Sequence, residues 1–96
     1  MKIKLSGFQM EFSDQGMGRP VLLIHGYPLN SQMWQPQLEG LKDYARLIAP
    51  DLRGHGASEP TDGVYTMEIL AQDCKELVEL LEIDQKIILC GLSMGG

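Results

Sequence analysis

Bases are scarce in this chain. Eight lysines and arginines stand against 13 acids, a formal net charge of -5, which excludes the basic stripe that a nucleic-acid-binding domain carries. Cysteine is scarcer: Cys74 and Cys90 are the only two. They are too few for a disulfide framework and are not spaced as zinc ligands, so a reducing cytoplasm is the expected compartment. No apolar run nears the roughly 18 residues that cross a membrane, and Met1-Lys2-Ile3-Lys4-Leu5 lacks the apolar stretch of a secretory leader. Internal repeats and an interdomain linker are also missing. What is present is 96 residues, 44% apolar and 22% charged, near the globular average and enough for one domain at most.

The hydrophobic pattern alternates between two periods. Lys2 to Leu5 and Gln9 to Ser13 alternate polar with apolar, and Ser6-Gly7 lies between them, so a hairpin is expected. Asp14 to Pro20 is rich in glycine and proline and reads as a loop. Val21-Leu22-Leu23-Ile24 is a continuous apolar run, the signature of a strand buried on both faces. From Ser31 the period lengthens: Trp34, Leu38 and Leu41 share one helix face, with Pro36 tolerable only in the first turn. Arg46 to Ala49 is the next strand, and residues 51–63 are a loop. Thr66 is placed to cap a helix with Met67, Leu70, Ala71, Cys74, Leu77, Val78 and Leu81 toward the core. Glu68, Asp73, Glu76, Glu79 and Glu82 are expected on its solvated face. Ile87-Ile88-Leu89-Cys90 closes the series as a buried strand. Strands alternating with helices imply βαβ units and a mostly parallel sheet, whose chemistry lies beyond the carboxyl ends of the strands.

Three segments follow strand ends. Gly91-Leu92-Ser93-Met94-Gly95 has the G-x-S-x-G form of a nucleophile elbow. A sharp strand-to-helix reversal brings the residues two before and two after the serine close together, so Gly91 and Gly95 must be small. The serine hydroxyl is then exposed at the tip, with the N–H groups of the following helix beneath a developing oxyanion. His25-Gly26-Tyr27-Pro28 follows the third strand and is suited to supply a second backbone donor. Tyr27 N–H and Met94 N–H are therefore the expected oxyanion donors, and Ser93 the nucleophile. Asp51-Leu52-Arg53-Gly54-His55-Gly56-Ala57-Ser58 follows the fourth strand.

Taken together, these motifs resemble the first part of an α/β-hydrolase-fold protein. His25 to Pro28 is similar to the family's H-G-x-P loop, Asp51 to Ser58 to its D-x-R-G-x-G-x-S segment, and Gly91 to Gly96 to its elbow. Leu22 to Trp34 is most similar to small cofactor-free esterases, lactonases and perhydrolase-type haloperoxidases. The resemblance implies a sheet in the order 1-2-4-3-5 and an acyl-Ser93 intermediate formed on an ester, lactone or thioester. It implies no metal or organic cofactor, and a small-molecule acyl substrate rather than nucleic acid or membrane. His25, Gly26, Gly91, Gly95, Asp51 and Arg53 take structural roles near the site. The family's acid and histidine follow later strands, so residues 1–96 are expected to be the N-terminal part of a single domain. That part alone is expected to be inactive and to self-associate through its open fifth strand. Perhydrolysis and non-catalytic small-molecule binding remain alternatives to hydrolysis.

Other conspicuous side chains have plainer readings. His55 is expected to wall or brace its loop. Trp34 is expected in the core, as are Cys74 and Cys90, whose thiols an apolar setting would keep inert.

Overall fold

Alternating side chains at residues 2–5 and 8–15 zip into an antiparallel pair, β1 (Lys2–Leu5) and β2 (Phe8–Gln15), turning at Gly7 with φ 91°. In the computed structural model, which describes residues 1–26, 29–61, 63 and 65–91, three further strands extend this hairpin into one sheet. They are β3 (Arg19–Ile24), β4 (Ala45–Pro50) and β5 (Ile88–Gly91), and the order is β1-β2-β4-β3-β5. The sheet is mixed. β2 pairs with β4 antiparallel, while β4, β3 and β5 run parallel. The parallel half is the part that the apolar runs indicate.

Adjacent residues on a strand point to opposite faces, and the two cores follow that rule. Leu22 and Ile48 join Leu5, Phe8, Met10 and Phe12 on one face, where Cys74 and Leu77 cover them. These last two belong to α2 (Met67–Leu80). Leu23, Leu47 and Ala49 point the other way, onto Trp34 and Leu38. Trp34 ends a 3-10 turn (Ser31–Trp34), and Leu38 lies in α1 (Gln35–Leu41). Helices thus cover both faces, which is why the inner strands are apolar throughout.

The helix ends follow local chemistry. Thr66 caps α2 by accepting from the Ile69 amide at 3.1 Å. Asn30 caps the 3-10 turn by accepting from the Gln32 amide at 2.9 Å. Pro36 falls in the first turn of α1, where its missing N–H costs nothing. At the far end of α2, the Glu82 amide donates to the Glu79 carbonyl and the Ile83 amide to the Val78 carbonyl. This is a Schellman motif with Glu82 at the left-handed position, φ 59°.

Several expectations fail on burial. Met67 at the start of α2 is 53% exposed, and Ala71 is exposed with it. Asp73 is not on the solvated face of α2: it is 3% exposed, because it pairs with Arg53. Cys90 is exposed rather than buried, as are Ile88 and Leu89 at 50% and 66%. Among the described residues β5 is an edge strand paired only with β3, and no element lies over it. Leu41, at the end of α1, is 47% exposed, beyond the reach of the core that holds Trp34 and Leu38.

Candidate active site

The three parallel strands, β3, β4 and β5, end on the same side of the sheet. Ile24, the last residue of β3, is paired with Gly91, the last residue of β5. His25-Gly26 therefore leaves the sheet beside Gly91. β4 ends at Pro50, directly before Asp51. Ser93, Met94 and Gly95, with Tyr27, lie outside the described residues. His25, Gly26, Gly91, Asp51 and Arg53 lie within them.

Asp51 is 5% exposed and its carboxylate works in two directions. Oδ1 accepts from the Ser31 amide at 2.7 Å, and Oδ2 accepts from the Ala57 amide at 3.0 Å. It thereby joins the start of the 3-10 turn to the loop after β4. Gly56 passes so close, at φ 53°, that a Cβ there would run into this carboxylate. Ser58 completes the bracing: its hydroxyl donates to the Asp51 carbonyl and accepts from the Glu11 amide at 2.9 Å. With both oxygens engaged by backbone amides, Asp51 braces the loop.

Arg53 holds the same loop to α2. Nε and Nη2 donate to Asp73 Oδ2 and Oδ1 at 3.0 and 2.7 Å, and Nη1 reaches Thr61 Oγ1 at 3.3 Å. The guanidinium also lies 4.6 Å from the centre of the Phe8 ring, a cation–π contact. Asp73 escaped the sequence reading although a signal existed. It falls three residues after Leu70 and four before Leu77, on the buried stripe. Ser58 was marked only as the last residue of the D-x-R-G-x-G-x-S segment, without the bracing role of its buried hydroxyl.

His25 is fully buried, 0% exposed. Its Nδ1 lies 2.9 Å from the Gly26 carbonyl oxygen and its Nε2 accepts from the Leu52 amide at 2.9 Å. A carbonyl only accepts and an amide N–H only donates, so the Nδ1–H tautomer of the neutral ring satisfies both. Burial lowers its pKa from the ordinary 6.5, an effect the nearby His55 reinforces, against opposing contributions from the Gly26 hydrogen bond and Asp51. His55 places Nδ1 3.0 Å from the Arg53 carbonyl and its ring centre 5.2 Å from that of His25. Both histidines hold loop backbone.

The Cys74 thiol is pushed up to about 12 by burial, with the Asp73 charge adding to it, which favours the protonated form near neutral pH. Among the described residues no group of acidic, histidine or cysteine side chains could hold a metal ion. No described helix is long and apolar enough to cross a membrane. A groove of about 600 Å³ runs between α2 and the β3–β5 side of the sheet, lined by Leu22, Leu52, Leu70, Cys74, Val78 and Leu89 among others. Its wall is mostly hydrocarbon, with Lys75 and Glu79 its charged residues, unlike a site built to orient a reacting molecule.

Residues 19–96 match the family model described as alpha/beta hydrolase fold. A non-heme chloroperoxidase, CPO-A1 of Kitasatospora aureofaciens, is 42% identical over 91 residues, covering 94% of this chain and 33% of the relative. A soluble epoxide hydrolase of a Corynebacterium species is 35% identical over 92 residues, covering 96% of this chain and 32% of that one. Among solved structures, a thermophilic esterase from Thermogutta terrifontis superposes with a TM-score of 0.91 at 46% identity, over 99% of this chain and 36% of the esterase. The chain thus spans about a third of the length of the relatives it matches. With the family match over most of its length, and a sheet in the order that its motifs imply, the chain belongs to the alpha/beta hydrolase fold family.

Proposed function

We propose that the complete protein is a serine hydrolase that opens an ester, lactone or thioester through an acyl-Ser93 intermediate. The observation that carries this reading is the pairing of Ile24 with Gly91. It starts the His25-Gly26 loop and the G-x-S-x-G segment side by side, as a two-donor oxyanion site requires. In this mechanism Ser93 Oγ attacks the carbonyl carbon while a histidine beyond residue 96 takes its proton, oriented by an acid also beyond residue 96. The backbone N–H groups of Tyr27 and Met94 stabilise the tetrahedral oxyanion. The bond to the leaving alcohol or thiol breaks as that group receives the proton. Water then attacks the acyl carbon and releases the acid and free Ser93. No step calls on a cofactor. Serine at the elbow separates this chain from epoxide hydrolases and dehalogenases, whose chemistry in this fold calls for aspartate there. Both described cysteines are free, in keeping with a cytoplasmic protein.

The likeness to a non-heme chloroperoxidase favours one second reading, in which hydrogen peroxide replaces water as acceptor of the acyl group and a peracid leaves. Both readings share the acyl-serine. A fluorophosphonate probe should label the full-length protein at one equivalent, and Ser93→Ala should abolish labelling. Labelling that survives the substitution contradicts the assignment. Peracid formation with added peroxide separates the second reading from the first.

A further inference from the structure

We propose that His25 is a positioning residue that ties the loop after β3 to the loop after β4. It does so only as the neutral imidazole, so that acid frees the first loop while the sheet stays folded. The functional consequence rests on the hydrolase reading above; the tie itself rests on geometry within the described residues.

His25 makes the tie with both ring nitrogens. Nδ1–H donates to the Gly26 carbonyl, which also accepts from the Leu29 amide at 2.8 Å. Nε2 receives the Leu52 amide, across from a loop 27 residues further along the chain. Both partners are backbone groups, so no other side chain enters these bonds. In the imidazolium both nitrogens become donors. Nε2–H would then face the Leu52 N–H, donor against donor, at a side chain that is 0% exposed and reached by no bulk water. A buried donor without an acceptor is costly, so the two loops part.

Two titratable groups face the ring among the described residues. His55, 5.2 Å away between ring centres, opposes a second positive charge. Asp51 favours one, but its carboxylate oxygens are already engaged by the Ser31 and Ala57 amides. Arg53, two residues before His55, is committed to Asp73. With burial as the largest influence, the folded pKa of His25 lies below 6.5. The unfolded chain therefore takes up this proton first as pH falls. The stability His25 contributes is complete above the unfolded value and is lost as pH drops through the folded one. Gly26 directly precedes Tyr27, whose amide is the proposed oxyanion donor, so losing the tie should lower kcat more than it alters KM.

An acid limb in activity alone would not separate His25 from the proposed catalytic histidine, so the test reads the tie locally. In full-length, nitrogen-15-labelled protein, the His25 ring shifts and the exchange of the Leu52 and Ile48 amides are followed from about pH 8 to pH 5. The ring should start as the Nδ1–H tautomer. As it protonates, Leu52 protection, corrected for intrinsic exchange, should fall by about tenfold or more, the effect of losing one buried hydrogen bond, while Ile48 in β4 stays protected. His25→Gln, which offers a non-titrating acceptor near Nε2, should keep Leu52 protected at low pH. An Nε2–H tautomer, a His25 titration without change at Leu52, or loss of Leu52 protection only together with Ile48 would each overturn the proposal. Should His25→Gln fail to fold, the wild-type profile decides. Probe labelling of Ser93 at pH 8 in the same samples tests the hydrolase reading separately.

Discussion

Arg53 and Asp73 show what a single side chain does in this molecule. The pair is largely buried, with the carboxylate 4% and the guanidinium 17% exposed, and it is bidentate. Each ion without the other would be a charge in apolar surroundings, since Arg53 also lies on Phe8. Removing one partner of a buried pair costs about 3–5 kcal/mol. Asp73→Ala in the full-length protein should therefore destabilise it by about 3 kcal/mol, near the lower end because Arg53 is not fully enclosed. Urea unfolding would measure this, and a change under about 1 kcal/mol, the worth of an exposed pair, would contradict it. Arg53→Lys should not rescue stability, because an ammonium cannot reproduce the planar fork. Asp51 differs in kind. Its partners are backbone amides, so it sets loop shape rather than balancing a cation.

At the scale of elements, most boundaries follow from pattern and end chemistry. The Thr66 cap, the Pro36 position and the Ser6-Gly7 turn were legible because each depends on residues adjacent in sequence. What was not legible depends on neighbours distant in sequence. β2 runs on to Gln15 because Ser13, Asp14 and Gln15 pair with β4. Asp14 also forms a fork with Arg46 at 2.9 and 2.6 Å, a cross-strand ion pair that no local pattern announces. The apolar composition of residues 87–90 indicated a strand correctly. It suggested burial, whereas the strand is exposed at the open edge that the order 1-2-4-3-5 had already implied. One element end invites a direct test. Glu82 occupies the left-handed C′ position of α2, where a side chain costs roughly 1–2 kcal/mol and glycine is preferred. Glu82→Gly in the full-length protein should raise stability by about 0.5–1 kcal/mol after its larger unfolded-state entropy is counted. Thermal or urea denaturation showing a loss of stability would mean that the Glu82 side chain makes a contact outweighing the backbone strain.

Across the whole molecule, the described residues leave two related surfaces open. One is the outer edge of β5 and the other is the apolar groove beside α2. An apolar strand with free backbone groups pairs readily with another chain, and Leu89 is 66% exposed. Residues 1–96 in isolation should thus self-associate, and Leu89→Lys should weaken the association by placing a charge on the edge. Sedimentation across micromolar concentrations would report it, and a cooperatively folded monomer throughout would contradict it. The family was legible from three short motifs in order, because each serves a turn or loop at a strand end and needs only a few residues to specify it. The reacting partners of Ser93 were not legible, since they are expected outside residues 1–96. The central claim is the acyl-serine. It is tested most directly by quenching the full-length protein in acid within its first turnover on a p-nitrophenyl ester and locating the added mass by peptide mass spectrometry. The account predicts one acyl group per chain, on the peptide bearing Ser93, formed with a burst of p-nitrophenol of equal size. An acyl group on a different residue, or turnover with no acylated protein in that burst, would contradict it.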